Sequence, residues 1–258
     1  EPMLPERCVL DVELEAKELL AAFLPRGRAA VEEAYRGMRA DLGRRPTPSE
    51  LFHAGYLPLT VSAAYGSWFG FVAAEGDLDT GERQVVDSFG QWLLMLQTTN
   101  LNKSYKMVVL RVLLDRDALW EGMVIVDLAA ACRGFLENHP ALRADLDNAA
   151  FTRVPGDPEA ETEAFGEWWL EWPLSRWFDV QAGRRWFERR GDRFVATFDI
   201  QPEIRVAFES LTADIVDYRL AQYTRSRIGS RGAAAGTPGE SLRFRGRVRH
   251  SRGNPILF

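Results

Sequence analysis

Lysine is nearly absent from this chain, with Lys17, Lys103 and Lys106 set against twenty-nine arginines. Cysteine is scarcer still. Cys8 and Cys132 have no partner at a useful spacing, which excludes a disulfide framework and a cysteine-based metal knuckle. The histidines are His53, His139 and His250, none of them three or four residues from a second ligand-type side chain, so the spacing gives no zinc site. Each reads as a satisfied or exposed ring. No apolar run reaches the roughly 18 to 20 residues of a membrane span, and the first residues lack the basic-then-apolar pattern of a secretory leader. A soluble cytoplasmic protein without a membrane partner is the expectation. Neither a Gly-x-x-x-x-Gly-Lys-Ser/Thr loop nor a Gly-x-Gly-x-x-Gly turn occurs, so nucleotide hydrolysis is not expected of this segment. Asp115, Asp117, Asp145 and Asp147 would suit an acidic magnesium site, yet each reads more simply as a solvated helix end or loop residue. No catalytic or metal-binding residue is nominated.

What the chain does have is apolar content and a divided charge. At 258 residues and 46% hydrophobic it can bury a sizeable core. Residues 219–258 carry nine arginines against Glu240, about +8, which leaves about −13 on the preceding residues to reach the net −5. The chain opens on Glu1-Pro2-Met3 and stops at Asn254-Pro255-Ile256-Leu257-Phe258, and it is read as an excerpt of a longer protein.

Periodicity makes the chain mainly helical. Leu14, Ala16, Leu19, Leu20 and Phe23 recur at three- and four-residue steps before Pro25, and a second helix is expected from about Ala29 to Leu42. Thr47-Pro48-Ser49-Glu50 has the composition of a helix start, with Thr47 as N-cap and Gly55 as stop. Tyr65, Trp68, Phe69 and Phe71 mark a buried helix. Val85, Phe89, Trp92, Leu93 and Leu96 mark another, and residues 1–100 together read as a helical bundle. Residues 101–223 read as a winged-helix-like domain. Its parts are a helix from Ser104 to Asp115, an extended Met123-Val124-Ile125-Val126, a helix over Leu128–Glu137 that Pro140 ends, and a β-hairpin at about 184–200 turning at Gly191-Asp192. Arg153–Glu163 reads as a loop, Pro202–Tyr223 as a helix, and Gly229–Gly239 as a flexible linker. Within the basic linker of 224–258, Leu242–Arg249 alternates as a strand that opens a following domain. The tryptophans between Trp168 and Trp186 read as core.

Three basic groups suit phosphate binding. Lys103, Ser104 and Lys106 stand at a helix start, where backbone N–H donors would add to the lysines, and Arg111 shares the same wet face. Arg184, Arg185, Arg189, Arg190 and Arg193 flank the hairpin. The third group is the arginine series from Arg225 to Arg252. Solvated arginines paired with Asp179, Glu188 and Asp192 are the simpler alternative.

The run Leu101-Asn102-Lys103-Ser104-Tyr105-Lys106-Met107-Val108-Val109-Leu110-Arg111-Val112-Leu113-Leu114-Asp115 resembles a segment downstream of the motor core in bacterial superfamily-two DEAD/DEAH-box helicases, many of which carry a phospholipase-D-like nuclease domain at the front. Leu4–Asp11 and Arg45–Tyr56 agree with it in order. The resemblance implies an accessory region that contacts DNA and holds it for an ATP-driven motor in the same parent chain, in phage defence or restriction. ATP and magnesium would belong to that motor, since the helicase motifs are absent from these residues. A protein-interaction module docking on the helicase core and a free-standing winged-helix regulator are the rival readings.

Overall fold

The computed structural model describes residues 27–147, 157–234, 247–249 and 255–257. Local signals set most element boundaries. Helix α1 (Arg28–Leu42) buries Val31 and Tyr35 one turn apart and stops at Gly43, whose φ of 65° is the left-handed conformation glycine adopts without a Cβ penalty. Thr47 and Glu50 exchange side-chain and backbone hydrogen bonds as a capping box, and Pro48 fills the first position of α2 (Pro48–His53). A 3-10 turn (Pro58–Val61) and α3 (Ser62–Tyr65) lead to α4 (Trp68–Ala74), capped by Ser67. Helix α5 (Thr80–Thr98) opens on a second capping box, Asp79 with Glu82, and is kinked at Phe89.

Helix α6 (Tyr105–Asp115) is followed by the short strand β1 (Met123–Val124), α7 (Ile125–Asn138) and α8 (Pro140–Asp147). Pro140 ends one helix and begins the next, because a missing N–H costs nothing in a first turn. Asp157 caps α9 (Pro158–Trp169) by accepting the Ala160 N–H at 3.0 Å, so residues 158–163 are helical and the loop expected there is corrected. The part of that loop at 153–156, like the helix expected over 12–24, lies outside the described residues. A π turn holding Pro173 (Leu170–Leu174) joins α9 to α10 (Ser175–Phe178).

Strands β2 (Phe187–Arg190) and β3 (Arg193–Ala196) form the expected hairpin around Gly191-Asp192, with Arg190 opposite Arg193. Strand β1 pairs antiparallel with β3 through Met123↔Phe194, giving the sheet order β1-β3-β2. The architecture is therefore mainly α with one small antiparallel sheet. A 3-10 turn (Pro202–Ile204) opens the long helix α11 (Arg205–Ala234), which runs past the Tyr223 end expected from its periodicity and takes up residues 229–234 of the expected linker. Residues 247–249, the described part of the expected basic strand, are β4, which pairs antiparallel with β5 (Pro255–Leu257) in the register Val248↔Ile256.

Residues 26–228 are one compact unit, and residues 1–25 with 229–258 are another. Within the first, a single core runs from Val31 to Tyr223, so residue 100 does not separate two cores. Trp92 of α5 shows why. Its indole lies 4.9 Å from Phe198, 5.2 Å from Trp186, 5.8 Å from Trp177 and 6.1 Å from Phe208, and its N–H donates to Thr212 Oγ1 at 3.0 Å. One half supplies the tryptophan and the other half supplies its cage. Aromatic groups of this size dominate core energetics, and their edge-to-face contacts add to the area they bury. No helix among the described residues is long and apolar enough to cross a membrane.

Candidate nucleic-acid interface

The lysine group divides. Ser104 is fully buried, and its N–H and hydroxyl donate to Asp145 Oδ2 at 2.9 and 2.7 Å. An internal carboxylate thus occupies the place at the start of α6 where a phosphate was expected. Asp145 is 1% exposed, and its carboxylate also accepts Tyr223 Oη at 2.9 Å, Arg227 Nη2 at 2.9 Å and Lys103 Nζ at 3.4 Å. Tyr105 Oη donates to the Asp145 carbonyl at 2.6 Å. The arrangement locks α6, α8 and α11 together. It corrects two readings: Asp145 is not a solvated carboxylate, and Ser104 is not free for an external anion, while Lys103, one-third exposed, is paired with Asp145. Burial raises the pKa values of both Tyr105 and Tyr223; the Asp145 charge adds to the first, and the hydrogen bond to Asp145 and then its charge add to the second, which reaches about 12.

Arg111 is also engaged, bridging Asp115 and Asp217. Lys106 points elsewhere. Its half-buried ammonium donates to Gln181 Oε1 at 3.0 Å, approaches Thr99 Oγ1 at 3.5 Å and stands 5.4 Å from the centre of the Trp177 ring. None of these partners is charged. Burial lowers its pKa, Asp179 acts against that shift and Arg176 adds to it.

Gln181 holds this corner. It exchanges backbone hydrogen bonds with Arg184 at 2.8 and 3.2 Å, its carbonyl accepts the Trp186 indole N–H at 2.9 Å, and its amide donates to the Arg176 carbonyl at 2.7 Å. Between Gln181 and Arg184, Ala182 (φ 51°) and Gly183 (φ 75°) both sit in the left-handed region, as in a tight two-residue hairpin turn. Alanine carries a Cβ penalty there, and the surrounding bonds must hold it.

The hairpin arginines differ among themselves. Arg184 and Arg185 are exposed, and Arg184 lies over the Trp186 ring at 5.3 Å. Exposed Arg189 donates to the Gly191 carbonyl at 2.7 Å, while Arg190 pairs with Glu188 at 2.6 Å. Arg193 is half-buried and donates to the carbonyls of Glu121 and Gly122 at 3.0 and 2.8 Å, which ties the hairpin to the approach of β1. Lys106 and the Arg184 turn therefore come together through Gln181. Lys103, Ser104 and Arg111 do not join them. Of the third basic group, Arg225 lies over Phe52 at 5.1 Å and Arg227 is held at Asp145.

A cleft of about 850 Å3 runs along α6 and α7, lined by Asp115, Arg116, Asp127, Phe135 and Asn138 among others. Among the described residues no three of His, Cys, Asp and Glu gather in a way that could hold a metal ion. Residues outside the sequence-derived set also shape the surface. Helix α9 and the turn after it carry Glu159, Glu161, Glu163, Glu167 and Glu171, followed by Trp172 at 53% exposure. No protein-family model, curated protein or solved structure matches the chain.

Proposed function

We propose that residues 26–228 form a non-catalytic, winged-helix-like module that contacts DNA through its hairpin and positions it for an ATP-driven motor elsewhere in the parent protein, in the helicase setting the resemblance implies. The observation that carries this reading is the trio Arg184, Arg185 and Arg189. All three are exposed, and among the described residues none has a carboxylate partner. Desolvating an arginine already bound to an acid gains little, whereas an unpaired one gains a full phosphate contact.

The order α6, β1, α7, α8, α9–α10, β2, β3, with sheet order β1-β3-β2, supports a winged-helix-like reading in which β2–β3 is the wing, α9–α10 the third helix and α8 an extra helix inserted before it. That stretch carries exposed Glu159, Glu163, Glu167 and Glu171, while Glu161 pairs with Arg133, so electrostatics favour contact by the wing. Net charge agrees with a local grip: residues 1–25 carry −4 and 229–258 carry +5, leaving −6 on 26–228.

Anisotropy of a labelled duplex with the full chain tests the reading. About three phosphate contacts give a log–log salt slope near −3, or roughly a 40-fold loss of affinity between about 50 and 200 mM salt. Arg184→Glu/Arg185→Glu/Arg189→Glu should abolish it. Absence of binding at about 50 mM would sink the DNA reading. The glutamate face beside exposed Trp172 favours a second reading, a module docking on the helicase core, whose affinity the arginine triple would leave unchanged.

A further inference from the structure

The DNA reading leaves open where on the hairpin a backbone is gripped, and the charge around Gln181 narrows it. Lys106 is a half-buried ammonium whose neighbours within reach are a neutral amide, a neutral hydroxyl and an aromatic face. Arg219, 9% exposed, lies on the other side of Thr99. Its guanidinium donates to the carbonyls of Gln97 and Thr99 at the end of α5, and among the described residues no carboxylate pairs with it. Arg176, Arg184 and Arg185 are exposed nearby, and Asp179 is the one acid that acts on Lys106. A half-desolvated cation whose direct partners are neutral, with exposed Asp179 acting on it only at longer range and Arg176 opposing, is costly unless an anion completes the site. The left-handed Ala182 adds a second local cost at the same turn.

We propose that the Ala182-Gly183 turn, with the Lys106 ammonium behind it and Arg184 and Arg185 on its outgoing arm, is the point where the phosphodiester backbone of a nucleic acid is held. Lys106 acts as a recessed point charge, and the two guanidiniums offer planar forks to adjacent phosphate oxygens. Four residues beyond Arg185 and within β2, Arg189 repeats the charge, at most about 13 Å away for a fully extended chain. Cations on the arm before β2 and within β2 suit an extended polyanion better than a single carboxylate. Gln181 is the positioning residue, since its side chain binds Lys106 and the Arg176 carbonyl while its backbone closes the turn onto Arg184.

The inference rests on the DNA reading, and its test separates the two. In duplex titrations of the full chain over a salt series, Lys106→Gln and Arg184→Ala/Arg185→Ala should each weaken binding at about 50 mM salt, tenfold or more when combined. The salt slope should fall by about one for each cation removed. Arg189→Ala should lower the slope by about one and leave the Lys106 effect intact. Unchanged affinity and slope in the combined variant, with binding lost on Arg189→Ala, would overturn the turn site and leave the hairpin reading standing. A wild-type chain that binds no duplex overturns both. Displacement of the duplex by poly-glutamate of equal charge at equal concentration overturns the proposal in favour of an acidic protein. Quenching of Trp177 and Trp186 fluorescence by millimolar inorganic phosphate but not by duplex overturns it in favour of a free anion. Should Lys106→Gln fail to reach the wild-type melting temperature, Arg184→Glu/Arg185→Glu, both exposed, carries the same comparison.

Discussion

Asp145 accepts from Ser104, Tyr223, Arg227 and Lys103 at once, and that makes its loss costly. Asp145→Ala leaves two N–H/O–H donors of Ser104 and the hydroxyl of Tyr223 without an acceptor inside the fold. Breaking one side of a buried charged cluster costs about 3–5 kcal/mol, which urea denaturation would read as a lower midpoint at unchanged slope. Asp145→Asn keeps an acceptor for Ser104, and the cations it releases, Lys103 and Arg227, are about one-third exposed at 33% and 32%. Water rehydrates them in part, and a cost of about 1–2 kcal/mol is expected. Asp214 behaves in the opposite sense. It is 14% exposed, bound by Arg45 at 3.2 Å, and burial raises its pKa from 3.8 to about 6 despite that partner. A carboxyl that holds its proton more tightly when folded loses stability as pH climbs from about 4 to 6, by up to ~3 kcal/mol at one pKa unit per 1.36 kcal/mol. Melting temperatures of wild type and Asp214→Asn across that window check it, and parallel curves would refute the assignment.

At the level of single elements, local chemistry explains what could be read in advance. The hairpin, the Thr47 cap and the stop at Gly43 depend on residues within four positions of one another, and their chemistry is visible in a short window. Asp145 was not legible in this way. Its partners Ser104 and Tyr223 lie 41 and 78 residues off, and a carboxylate between Ala144 and Leu146 has the look of any solvated helix end. Lys106 was legible as unusual by its rarity, although nothing local told its direction apart from that of Lys103. The Pro-Glu-rich start of α9 suits a first helical turn as well as a loop, so composition alone does not decide between them. One glycine holds the small sheet together. Gly122 (φ 67°) precedes β1, and a Cβ there would stand 2.3 Å from the Phe194 carbonyl oxygen and 2.7 Å from Val195 Cγ1. Gly122→Ala should therefore push β1 off β3, cost about 2 kcal/mol or more, and speed amide exchange at Ile125, whose N–H donates to the Asp192 carbonyl at 2.8 Å.

For residues 26–228 as a whole, the shared tryptophan cage makes the two sequence-derived halves one cooperative unit. Trp92→Ala removes a fully buried indole and should cost about 3–5 kcal/mol. Tryptophan fluorescence and helical circular dichroism should then fall in a single coincident transition at lower denaturant. Two separated transitions, one for each half, would refute the shared core. The same unity gives the π turn at Leu170–Leu174 its importance. A π turn is an α-helix with one surplus residue, and α10 is set in angle by that surplus. Deleting one residue of Leu170–Leu174 would restore an ordinary spiral and swing everything after it by about 100°. Trp177 would then face away from Trp92, and Gln181 with its turn would leave Lys106. A one-residue length change in this turn would thus uncouple the arginine arm from the scaffold, much as a slipped gear tooth disengages a shaft.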